Sequence, residues 1–148
     1  MSKDLFSVED QAQIIEAIKL AEMQTSGEIR VHIEPNCKGE PMDRALEVFA
    51  ELNMHSTALK NGVLIYLATA DKKFAIIGDK GIHEKVHDSF WNEEKELLKE
   101  HFSKGEFTLG LTKAIYKVGE KLKLHFLYQS DDTDELSNDI SFGGKADA

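Results

Sequence analysis

The sequence has little cysteine and no long apolar run. Cys37 is its only cysteine, so no disulfide can form within the chain. No apolar stretch reaches the roughly 18 residues that a membrane span requires. The opening residues, MSKDLFSVED, lack the apolar core of a signal peptide. We therefore expect a protein of the reducing cytoplasm without a membrane span.

Basic residues are outnumbered by acidic ones. Lys and Arg number 18 against 27 Asp and Glu, giving a net charge of -9, which repels nucleic acid rather than recruiting it. A chain of 148 residues fits one domain, which we predict over residues 1–142, with a disordered end at 143–148. The acidic stretch before that end is either solvated or extended and held on the domain by Leu136, Ile140 and Phe142.

Apolar periodicity predicts alternating helices and strands. Helical spacing follows Ser7 and again Pro41, a residue that the first helical turn tolerates. GEIRVHIE alternates apolar and polar residues, which predicts a strand with one face in water. GVLIYLAT is continuously apolar and predicts a central strand covered on both faces, and KFAIIGD predicts a third strand. Two further helices follow, separated near Gly105.

The connections between these elements predict the topology. A helix joins strands one and two, so that pair is parallel, whereas the short link around Asp71 makes strands two and three antiparallel. We therefore predict an α/β fold, in which helices cover a small mixed sheet to form a three-layer-like sandwich.

Three glycine-marked segments are the candidate functional feature. SGE at 26–28, NGV at 61–63 and GDKG at 78–81 lie at strand ends that the predicted topology brings to one end of the sheet. Carboxylates and carbonyl oxygens are the ligands that calcium and magnesium prefer. Asp79, Glu28, Asn61 and Gly62 are therefore candidate ligands of a divalent cation. The spacing alone favours the alternative of turn chemistry, with Asp79 capping a helix near Ile82.

The order of these segments resembles the TPM domain family. SGEI, LNMHST, NGVLIYLAT, FAIIGDKGI, FW, GEFTLGL and DELSNDISF carry the resemblance, which covers roughly residues 5–142. It implies an α/β sandwich that binds calcium near the strand-end loops, with Asp79, Asn61 and Gly62 at the matched positions and Glu28 as a further candidate. A weak acid phosphatase activity is proposed for some members. The chain resembles the free-standing, soluble, bacterial-type form.

A second motif competes with this interpretation. His83, Glu84 and His87 have H-E-x-x-H spacing, which on a helix provides two zinc ligands and a general base. The same residues are typical of a solvated helix, which is the interpretation we favour for them. Three hypotheses therefore stand: a cation-binding module that serves a protein partner, which we favour; a weak metal-dependent acid phosphatase; and a zinc peptidase.

Overall fold

The protein alternates helices with strands in the computed structural model, which describes residues 6–127 and 137–143. In chain order the elements are α1 (Val8–Glu22), β1 (Glu28–Glu34), α2 (Pro41–Glu51), β2 (Gly62–Ala68), β3 (Lys73–Gly78), α3 (Lys80–His83), α4 (Asp88–Ser103), α5 (Phe107–His125) and β4 (Ser141–Phe142). A 3₁₀ turn, Met54–Ser56, precedes β2. The α/β class predicted from the sequence is confirmed.

The sheet is mixed, with the strand order β3-β2-β1-β4. β1 and β2 are parallel, with Glu28 opposite Gly62, and β2 and β3 are antiparallel, with Val63 opposite Gly78. Both relations are those predicted. β4 adds a short parallel pairing at the other edge of β1, so β3 forms one outer edge of the sheet.

Helices cover the two faces of this sheet. One face packs against α1, α4 and α5 through β1 and β2 side chains that include Ile29, Val31 and Val63. The other face packs against α2, where Val48 and Phe49 meet a second apolar cluster. All seven residues of β2 are buried, as its continuous apolar run predicts.

Local sequence signals fix several helix ends. Ser7 and Asp10 form a reciprocal capping box at the start of α1, with bonds of 2.9 and 3.1 Å. Pro41 occupies the first turn of α2, as expected. α1 packs closely on α5 because Gly119 has no side chain: a Cβ there would lie 2.7 Å from the Cβ of Ala21.

The prediction that one face of β1 meets water is wrong. Glu28, His32 and Glu34 are all buried. The Glu34 carboxylate accepts hydrogen bonds from Arg44 Nε and Nη2 at 2.8 and 2.9 Å. It also accepts one from the Tyr66 hydroxyl at 2.5 Å and lies 2.9 Å from His32 Nε2. A paired and hydrogen-bonded charge can be buried, so alternation in β1 reflects a polar interior rather than solvent.

The C-terminal segment is partly described. Ile140 and Phe142 pack against the core, in agreement with the extended alternative, whereas Leu136 lies outside the described residues. We predicted disorder from residue 143; the Gly143 N–H donates to the carbonyl of Ile33 at 2.8 Å, and residues 144–148 lie outside the description. Within residues 6–127 and 137–143, no helix has the length and apolar character to cross a membrane.

Candidate functional site

The three glycine-marked segments meet at one end of the sheet. The Glu28 N–H donates to the Asn61 carbonyl at 3.3 Å, and the Asp79 N–H donates to the Gly62 carbonyl at 2.8 Å. These two bonds join the start of β1, the start of β2 and the end of β3. The predicted convergence is therefore present in the backbone.

Asp79 is the residue of this group whose side chain has a buried oxygen without a hydrogen-bond partner among the described residues. It follows β3 and caps α3, where its Oδ1 accepts from the Lys80 N–H at 2.8 Å. His55 Nδ1 lies 3.4 Å from the same oxygen. The side chain is only 6% exposed, and Oδ2 is buried with no hydrogen-bond partner among the described residues. A buried oxygen without a partner is costly, so Asp79 caps a helix with one oxygen while its other oxygen stays unsatisfied among the described residues.

The other three predicted ligands are placed differently. Asn61 is buried and its main-chain N–H donates to Thr57 Oγ1 at 3.3 Å. The Gly62 carbonyl is engaged by Asp79, and Glu28 is buried at the start of β1. These residues lie at the same end of the sheet as Asp79 but are not among those that line the adjoining cleft.

That cleft has a volume of about 600 Å³ and lies beside β3, between α2 and α4. Asp79 lies at one end of it, and the exposed Asp88, in the first turn of α4, supplies a second carboxylate. The cleft combines apolar walls with charged groups, and its lining includes Met42, Leu46, Ile76, Lys80, Trp91 and Lys95. Sequence reasoning missed Asp88. Its position just after the GDKGI segment, at a helix start, is the signal that would have found it.

Glycine at position 78 allows the cleft wall to approach the strand. A Cβ there would lie 2.9 Å from Cη2 of Trp91 and 2.6 Å from Cγ2 of Ile82. The indole therefore lies directly against the end of β3. Its Nε1 is buried without a hydrogen-bond partner among the described residues.

The donor set limits what kind of metal the site fits. Within the described part of the chain, no group of three or more His, Cys, Asp or Glu side chains is arranged to hold a metal ion. The carboxylates that line the cleft are those of Asp79 and Asp88, and carboxylate oxygens suit a hard cation that keeps several water ligands, as magnesium does. A site closed entirely by protein ligands does not fit this arrangement.

The zinc motif does not form on one helix. His83 is the last residue of α3, Glu84 is its C-cap and His87 is the N-cap of α4. The two histidines therefore do not share the helical face that the zinc hypothesis requires, because α3 ends after a single turn. All three side chains are exposed, as the alternative of solvated residues predicts.

Comparison with known proteins identifies relatives in sequence and fold. The family model described as TPM domain matches residues 2–121. The NMR structure of the BA42 protein from the psychrophilic bacterium Bizionia argentinensis is 46% identical, with a TM-score of 0.87 over 93% of this chain and 95% of that chain. The N-terminal domain of the cg2496 protein from Corynebacterium glutamicum is 14% identical, with a TM-score of 0.64 over 88% and 78% of the chains, a likeness of fold alone. No curated protein matches the chain.

Proposed function

The chain belongs to the TPM domain family, and from that premise we propose that it binds a divalent cation, calcium or magnesium, at Asp79 and serves as a binding module for another protein. The observation that carries the proposal is the Oδ2 atom of Asp79, a residue of the cleft lining, because this atom is buried and has no hydrogen-bond partner among the described residues. A cation bound to that oxygen would offset the cost of its burial.

The surrounding contacts orient the carboxylate for this role. The Lys80 N–H holds Oδ1 at 2.8 Å, which leaves Oδ2 as the coordinating atom. In this proposal Asp79 and Asp88 bind the ion, while Glu28, Asn61 and Gly62 belong to the strand ends that fix the position of Asp79. Water and an oxygen of the partner complete the coordination shell.

Two protein carboxylates predict weak binding by the protein alone. Sites with few charged ligands bind calcium with dissociation constants of roughly 0.1 to 1 mM. A partner that supplies a further oxygen would strengthen binding, which couples the ion to the partner.

Calcium titration followed by amide NMR tests the proposal. We expect the amides of Gly62, Asp79 and Gly81 to shift in the wild type, with at least about tenfold weaker binding in Asp79→Asn, because the amide replaces the coordinating oxygen's charge. Asp71→Asn, an exposed site at the opposite end of β3, is the matched control and should titrate like the wild type. An unchanged wild-type spectrum at millimolar calcium and magnesium would contradict the proposal.

A weak metal-dependent acid phosphatase is the second candidate. Lys80 and Lys95 line the same cleft as the two carboxylates, and cationic groups beside a bound metal suit a phosphate ester. The same Asp79→Asn variant tests it, since turnover of a phosphate ester should be lost together with the cation.

A further inference from the structure

The outer edge of β3 presents unpaired backbone groups. The bond from the Asp79 N–H to the Gly62 carbonyl fixes which pairs of the β2–β3 ladder are hydrogen-bonded. Since bonded and non-bonded pairs alternate in an antiparallel ladder, the N–H and C=O groups of Phe74, Ile76 and Gly78 point away from β2. Within residues 6–127 and 137–143, β3 has no other neighbouring strand and these groups make no hydrogen bond to another backbone group.

Such an edge is a template for a further strand. Its row of alternating donors and acceptors matches the backbone of an extended peptide, and neither a helix nor a small molecule offers that spacing. The six residues of β3 correspond to roughly 20 Å of extended chain. The backbone therefore specifies the conformation of the occupant.

The cleft lies over this edge and limits what can reach it. Met42 and Leu46 from α2 form one wall and Trp91 from α4 the other, so the edge is recessed between helices from the two faces of the sheet. Phe74 and Gly78 are half-buried, and Ile76 lies buried at the floor. The unbranched side chain of Met42 is adaptable and can move to admit a chain.

The helices that flank the β3 edge and the net charge of the protein favour a single extended segment as the occupant. A second copy carries its own helices beside its β3 edge, and two copies with a net charge of -9 each repel one another. A single extended segment avoids both obstacles. Leu46 is 53% exposed although it lies on a cleft wall, so apolar side chains on alternate residues of the segment would bury it further.

The Asp79 end of the groove favours an acidic group. Lys80 lines it, Lys95 lines the α4 wall, and the proposed cation would lie there as well. We propose that β3 binds an extended segment of a partner protein as an added strand, with apolar side chains in the cleft and a carboxylate at the Asp79 end. The carboxylate contact rests on the proposed cation site, whereas the strand pairing does not.

Peptide selection followed by hydrogen exchange tests this inference. A displayed library of random 12-residue peptides would be panned against the protein with calcium, and an enriched peptide would be synthesised and added to ¹⁵N-labelled protein. We expect enriched sequences with alternating apolar residues and an acid at one end. Exchange of the Phe74, Ile76 and Gly78 amides should slow by about tenfold, because each N–H of the edge gains an acceptor. The Ala75 and Ile77 amides, already paired with β2, should change little.

Wall variants separate this groove from other apolar surface. Leu46→Glu should abolish peptide binding, whereas Leu109→Glu, an exposed site on α5, should bind like the wild type. No enriched peptide, equal binding to both variants, or unprotected edge amides would overturn the inference. If calcium shifts the Asp79 amide but no peptide binds, the strand-pairing inference is overturned and the cation proposal stands. If a peptide protects the edge amides of β3 but calcium does not bind, the cation proposal is overturned and the strand-pairing inference stands.

Discussion

Glu34 is a charged residue inside the protein, held by contacts from three elements. Its side chain is 3% exposed. Burial alone would raise the pKa of its carboxyl, but hydrogen bonds from Arg44, Tyr66 and His32 outweigh burial and hold the pKa at about 2. Burial and the negative charge of Glu34 together raise the pKa of Tyr66, which stays a hydrogen-bond donor. Glu34 thus ties β1 to β2 and α2.

Glu34→Gln should destabilise the fold. The variant removes the negative charge that faces Arg44 and replaces one of the two acceptor oxygens with an amide nitrogen. The buried donors therefore lose an acceptor, at a cost of about 2 to 3 kcal/mol in the free energy of unfolding. Urea denaturation at pH 7 measures it. Glu47→Gln is the control, since Glu47 lies 3.1 Å from the same Arg44 but is 66% exposed, and should cost less than about 0.5 kcal/mol. Equal losses in both variants would contradict the prediction.

The stability that Glu34 contributes should also depend on pH, which provides a second test. Its folded pKa of about 2 lies below the unfolded value of about 4.3. The folded state therefore releases this proton more readily, and the stabilisation is fully present above about pH 4.3 and lost as pH falls to about 2. Glu34→Gln should lack this part of the acid unfolding curve.

At the scale of elements, the single turn of α3 determines where Asp79 lies. α3 packs directly on the loop before β2, because Gly81 has no side chain. A Cβ at position 81 would lie 2.2 Å from the Leu59 carbonyl oxygen and 2.5 Å from that of Lys60. Both contacts are with backbone, which cannot rotate away. Gly81 therefore couples the loop before β2 to the helix that Asp79 caps.

Gly81→Ala should separate these elements. The added methyl group forces α3 away from the loop, at about 2 kcal/mol in the free energy of unfolding by analogy with overpacked cores, and it should shift the amide resonance of Asp79. Thermal unfolding and amide NMR measure the two effects. Lys80→Ala, an exposed change in the same turn, should leave the free energy of unfolding unaltered. Wild-type stability in Gly81→Ala would show that the loop and α3 are not in contact.

The elements also show how far the sequence predicts this fold and site. The apolar run of β2 and the spacing of α1 and α2 are local signals, and they predicted the sheet topology and the convergence at Asp79. The burial of the polar face of β1 depends on Arg44, a partner on another element, so alternation alone pointed to solvent. The cleft and the position of Asp88 in it were not predicted, because they too depend on elements distant in the sequence: α2 and α4 flank the edge of β3.

At the scale of the whole molecule, two buried titratable groups change the free energy of unfolding in opposite directions as pH changes. Burial lowers the pKa of His32, against the raising effect of its hydrogen bond to Glu34. The unfolded chain therefore binds that proton more readily, and His32 costs stability as pH falls below about 6.5. Burial raises the pKa of Glu94 to about 7. Lys117 opposes this rise, and Glu93 and Glu120 add to it.

Glu94→Gln should isolate the second effect. Because the folded pKa of Glu94 is about 7 and the unfolded value about 4.3, its contribution is present below about pH 4.3 and is lost as pH rises to about 7. The glutamine variant has no proton to lose, so its stability relative to the wild type should increase from pH 4.3 to 7 and then level off, by at most about 4 kcal/mol. Subtracting the wild type removes contributions shared by both proteins, including that of His32. Urea denaturation across pH 4 to 9 measures the difference, with the exposed Glu96→Gln on the same helix as control. A difference between Glu94→Gln and wild type that does not change with pH would show that the Glu94 carboxyl titrates normally in the folded protein.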